Sequence, residues 1–170
     1  MINTNKRITY LLYNYSAIIL LYTSILSEID FNNSEFKYFS FNFAYILIFY
    51  YSLKRESGIG YIYIFIAGLF NDVVNGLPMG ISSLCYLLLC AAAVYLRNIT
   101  LRPNIFKDWI FFLITISFLN CINFSFLILF FSYEINYFDQ ITNITFTFLL
   151  YLFFSYLFKI YDDIILSRIN

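Results

Sequence analysis

Asp72 is the residue in this chain best placed to do chemistry, and its neighbours decide which chemistry that is. It sits in "GLFNDVVNGLPMG", Gly68 to Gly80, which interrupts a long run of Phe, Tyr, Ile and Leu with Asn-Asp, Asn-Gly and Pro-Met-Gly. General acid–base catalysis needs titratable groups within hydrogen-bond reach of one another. The chain has no His, and Asp72 is the only acidic residue within its apolar runs. Ser82 and Ser83 adjoin the motif without a base to activate them, so neither is expected to act as a nucleophile. Cys85, Cys90 and Cys121 lie in apolar runs without a CxxC pair or a His to complete a metal site, and read as reduced packing residues. No HExxH sequence and no phosphate-cradling Gly loop is present. Proton-coupled transport usually uses several buried ionisable groups, and here one stands alone. The expectation is a protein that is not an enzyme and holds no cofactor or metal, with the motif serving assembly or recognition.

Gly68, Asp72 and Asn75 are spaced i, i+4, i+7 and so share one face of a helix, flanked by Ala67 and Asn71. A small-and-polar stripe on a helix in lipid marks where another helix packs closely. Two readings of Asp72 stand side by side. A carboxylate in the last turn of a helix opposes that helix's dipole, but the next helix begins just across the turn. Pro78 is preset for a helix start, and N–H groups near Gly80, Ile81 and Ser82 could bind the carboxylate and cap the hairpin. Alternatively Asp72, with Gly76, Pro78 and Gly80, belongs to a partner interface. A second polar set, Ser117, Asn120 and Asn123, recurs at i, i+3, i+6. It reads as hydrogen-bonding glue between helices rather than a solute path. Ser83, Cys90 and Ala91 to Ala93 form a further close-packing surface.

The elements that carry these residues follow from composition. The chain is 62% hydrophobic and 12% charged, whereas a soluble domain has roughly a quarter of its residues charged, so lipid is the solvent for most of its surface. The formal net charge is zero, which gives no general attraction to nucleic acid. The 24% aromatic content reads as compositional drift, because Phe, Tyr, Ile and Asn are abundant together. Spanning the hydrocarbon core takes about 20 apolar residues. Six runs are read as spans: Ile8 to Leu26, Phe36 to Leu53, Ile59 to Val74, Ile81 to Leu96, Trp109 to Phe131 and Ile141 to Ile160. They do not alternate as barrel strands would. The first lacks a small-x-small cleavage site and reads as a retained helix.

The charges set the orientation. Lys6, Arg7, Lys54, Arg55, Arg97, Arg102, Lys107, Lys159 and Arg168 fall on one side if there are six crossings. The other side has Lys37 with Glu28, Asp30, Glu35, Glu134 and Asp139. By the positive-inside rule both termini are cytoplasmic. The fold class is therefore all-α, a polytopic integral membrane protein of six transmembrane helices, with residues 1–170 as one domain. Trp109 beside Asp108 suits the interfacial belt. The segment "RNITLRPNIFKDW" reads equally as lying on an anionic leaflet and as docking a cytoplasmic partner.

The residues Gly68, Leu69, Asp72, Gly76, Pro78, Gly80 and Leu84, in "GLFNDVVNGLPMGISSL", resemble the signature of the MreD family of the bacterial rod-shape system. "FNFAYILIFYYSLKRE" and Arg97 are similar in placement, so the likeness covers Phe36 to about Trp109. Where an Arg-Pro-like end to the second helix is expected, Lys54-Arg55-Glu56-Ser57 has no proline. The resemblance implies a bundle of five or six helices in the bacterial cytoplasmic (inner) membrane. It implies a non-catalytic component of the cell-elongation complex for peptidoglycan synthesis. Its implied partners are MreC, a single-pass protein with an extracytoplasmic coiled coil, and through it actin-like MreB, RodA and a class B penicillin-binding transpeptidase. The alternative is a substrate-binding membrane subunit of an energy-coupling-factor type transporter, in which Asp72, Asn75 and Asn120 would line a ligand pocket.

Overall fold

The computed structural model describes residues 15–25, 41–54, 59–100, 104–131 and 137–169. Among these residues the chain is all-helical: α1 (Tyr15–Ile25), α2 (Phe43–Lys54), α3 (Tyr61–Asn75), α4 (Ile81–Ile99), α5 (Ile105–Phe131) and α6 (Tyr137–Ile169). Three are long and apolar enough to cross a membrane, namely α4, α5 and the Tyr137–Ile164 part of α6. The expectation of six spans is thus met in length by three. Helices α2 and α3 have 12 and 15 residues, short of the ~20 that a full crossing takes. Only the Tyr15–Ile25 part of the first run, and nothing of 36–40 in the second, lies within the described residues.

The helices also start and stop differently from the hydropathy runs. α4 continues to Ile99, α5 begins at Ile105 instead of Trp109, and α6 extends beyond both Ile141 and Ile160. Hydropathy marks the lipid-like stretch, whereas backbone hydrogen bonding carries a helix on until a cap ends it. Asn104 supplies such a cap, since its Oδ1 accepts from the Phe106 N–H at 3.1 Å. Asn42 does the same for α2, where its Oδ1 accepts from the Tyr45 N–H at 3.1 Å.

α2 is the hub of the bundle. Every residue from Ala44 to Leu53 is buried, as expected of a helix that is apolar all round and enclosed by others. It packs against α4 and α6, while α3 packs on α4, α4 on α5 and α5 on α6. Phe49 of α2 meets Phe112 of α5 and Tyr151 of α6 at ring-centroid distances of 4.9 and 5.7 Å. Phe43, Tyr50 and Tyr51 lie against Phe158. Between α5 and α6 the Trp109 indole stacks on Phe148 at 4.3 Å and 3°, and its Nε1–H donates to the Phe148 carbonyl at 2.9 Å. Much of the aromatic content thus forms the joints of α2, α5 and α6, each ring pair adding attraction beyond its area.

Candidate functional site

The Gly68–Gly80 motif forms the end of α3 and the turn into α4. Gly76 adopts the left-handed conformation, φ +63°, which costs a residue without Cβ little. Its N–H donates to the Val73 carbonyl at 3.4 Å, and the Leu77 N–H donates to the Asp72 carbonyl at 2.9 Å. This pair of bonds is a Schellman ending. Pro78 follows two residues later, in the turn, where a residue without an N–H suits a helix stop. The expected role of Pro78 as the first residue of the next helix is therefore not what the backbone shows. α4 starts at Ile81, after Gly80 at φ +102°.

The Asp72 side chain is fully buried, at 0% exposure, and reaches across to that start. Oδ2 accepts from the Gly80 N–H at 2.7 Å, and Oδ1 accepts from the Ser82 N–H at 2.9 Å. A helix leaves its first N–H groups without intrahelical partners, and a carboxylate there gains both charge-assisted bonds and the helix dipole. A polar chain runs alongside. Asn75 Nδ2 donates to the Asn71 backbone and side-chain oxygens at 3.0 and 3.2 Å. Asn71 Nδ2 donates in turn to Ser82 Oγ at 3.0 Å. Lower in the hairpin, Ser83 Oγ donates to the Phe65 carbonyl at 3.1 Å. A Cβ on Gly68 would overlap the Ser83 backbone, with Ser83 N at 2.6 Å, so α3 and α4 touch there at backbone distance.

The motif's residues are thus brought together as one unit. Both Asp72 oxygens are engaged and none of its surface reaches solvent. What the arrangement does chemically is hold two helix ends together. Its outer surface is the turn, where Met79 is 76% exposed. The α5 set behaves differently. Asn120 Nδ2 donates to the Ile116 carbonyl of its own helix at 2.9 Å. Asn123 Oδ1 is buried with no hydrogen-bond partner among the described residues, and Ser117, one turn before Asn120, is half-buried.

A second polar group, at the other end of the hub, was not foreseen from the sequence. Lys54 Nζ pairs with Asp108 Oδ2 at 3.3 Å, the two side chains being 32% and 5% exposed. Arg97 Nη1 donates to the Ser52 carbonyl at 3.3 Å, and Tyr50 OH donates to Asp162 Oδ2 at 3.4 Å. Helices α4, α5 and α6 therefore each send a polar contact to the last turns of α2. One signal was present in the sequence. Lys54 lies in a last helical turn and Asp108 in a first turn, each where the dipole favours its sign. Their separation of 54 residues left nothing local to pair them.

An all-helical bundle with a buried aromatic core and, among the described residues, three apolar helices of spanning length defines a helical membrane protein. The match of the rod shape-determining protein MreD family covers residues 6–161, nearly the whole chain. The chain belongs to the MreD family, whose role is in rod-shape determination. No curated protein and no solved structure matches it.

Proposed function

We propose that this chain is a non-catalytic, multi-pass component of the bacterial inner membrane that binds and stabilises MreC, and through it MreB, RodA and a class B transpeptidase. In this reading all six helices cross, both termini are cytoplasmic, and the α3–α4 turn faces outward toward the extracytoplasmic coiled coil. The observation that carries it is the buried Asp72 carboxylate bonded to the Gly80 and Ser82 N–H groups. It fixes a turn whose apolar tip, Met79, is left uncovered. An exposed apolar side chain on a preorganised turn can seat in a partner's pocket at a low ordering cost. Asn75, Gly76, Pro78 and Gly80 shape the tip and Gly68 lets α3 and α4 approach beneath it, while Ser117, Asn120 and Asn123 are left to contacts within α5 and with its surroundings.

The test is co-purification from native membranes of the chain carrying Met79→Asp or Asp72→Ala, at natural expression. Loss of the coiled-coil partner and the wall synthases from both variants, with the chain still inserted, supports the reading. Undiminished recovery from both would remove the hairpin from the interface.

A further inference from the structure

The apolar belt of this molecule is not of one height. α3, with 15 residues, is about 22 Å long at 1.5 Å per residue. Beside it, α4 runs from its cap at Gly80 to Arg97, a span of about 25 Å. On the other side of the bundle, α5 from Lys107 to Phe131 covers about 36 Å. Tilting can lower a long helix to the hydrocarbon thickness of about 30 Å but cannot raise a short one.

Short spans usually compensate by extending flanking cations toward the headgroups. At the end of α4 the Arg97 guanidinium is instead turned back onto the Ser52 carbonyl. At the opposite end the exposed Asn75 and the Gly76–Gly80 turn close the face. Between these limits the surface is apolar, with Ile62, Phe65, Ile66, Val73, Leu84 and Leu88 exposed.

We propose that the α3–α4 face takes phospholipid with shortened acyl chains, that is, a locally thinned patch of bilayer, while the α5 face takes chains of ordinary length. The inference rests on the six-crossing reading, specifically on α3 and α4 both crossing. A thinned patch carries a standing elastic cost that falls when a second thin surface shares it, so the same face favours lateral association with other short spans.

The experiment uses the full chain with Phe65→Trp on α3 or Phe118→Trp on α5, subtracting the Trp109 signal of the unsubstituted chain. Each is reconstituted in dimyristoleoyl, dioleoyl or dierucoyl phosphatidylcholine mixed with dibrominated phosphatidylcholine, and quenching gives relative lipid affinity by chain length. At Phe65→Trp the dimyristoleoyl lipid is expected to bind about threefold or more tightly than the dierucoyl, with the optimum at Phe118→Trp displaced to longer chains. A common optimum at dioleoyl or longer overturns the proposal. So does absence of quenching at Phe65→Trp, which would mean that protein covers the face. Ser57→Cys, Met79→Cys and Lys107→Cys, placed before α3, between α3 and α4 and after α4 and labelled with an impermeant maleimide from either side of the membrane, separate the two claims. Labelling of Met79→Cys from the side opposite to both of the others upholds the two crossings on which the proposal stands, and any other pattern overturns both together.

Discussion

Three backbone N–H groups, those of Leu77, Gly80 and Ser82, converge on Asp72, the first on its carbonyl and the others on its carboxylate. Asp72→Ala leaves two donors without their acceptor in an environment that water does not reach, which should cost about 2 to 4 kcal/mol. Asp72→Asn keeps one acceptor oxygen, so thermal unfolding in detergent should rank native above Asn above Ala. Equal midpoints for the three chains would dismiss the capping role. Gly68→Ala places a methyl group on the Ser83 backbone and should cost about 1 to 3 kcal/mol by overpacking, read as a lowered unfolding midpoint in the same detergent. The types and spacing of these residues were legible in the sequence, because Gly, Pro, Asn and Asp in an apolar run have few reasons to be there. The Asn71–Ser82 bond was not, since nothing in residue spacing says which way two amides and a hydroxyl turn.

At the scale of elements, the hub helix α2 and the ends of its neighbours decide how the bundle closes. Lys54→Ala strands the Asp108 carboxylate, which is 5% exposed, whereas Lys54→Ala with Asp108→Asn removes both charges. Because Lys54 is itself 32% exposed, the coupling read from a double-mutant cycle should be about 1 to 2 kcal/mol, below that of a fully buried pair. Additive losses would make the pair incidental. The helix count was legible from hydropathy, yet the enclosure of α2 was not. In a membrane, a helix facing lipid and one facing protein are apolar alike, so composition does not distinguish them. The pairings of α2 with α4, α5 and α6 depend on residues many turns away, and for the same reason no local pattern announced them.

For the whole molecule, Trp109 offers a single optical reporter of assembly, since the chain has one Trp. Stacked on Phe148 and bonded to its carbonyl, it should emit at short wavelength and resist quenching by aqueous iodide. Phe148→Ala should shift the emission to the red and expose the indole at lower denaturant, which a steady fluorescence measurement checks. If emission is unchanged, α5 and α6 are held together elsewhere. The family's role in rod shape gives the whole-molecule consequence: cells depleted of this chain and supplied with Asp72→Ala should round up in proportion to the hairpin's loss of stability. The shortness of the third and fourth runs beside the fifth was legible in hydropathy, whereas the start of α5 at Ile105 and the extension of α6 to Ile169 emerged with the structure.

The Asp72 hairpin also has a consequence for how the chain is made. An Asp costs up to about 3 kcal/mol at the centre of a helix offered to the translocon by itself, and less near its end where Asp72 sits, and its partners, Gly80 and Ser82, lie 8 and 10 residues further along. At ribosomal speeds of roughly 5 to 20 residues per second, they emerge about a second after it. On the six-crossing reading, α3 is therefore expected to stay beside the translocon until the start of α4 has emerged, the two then entering the lipid as one bonded pair.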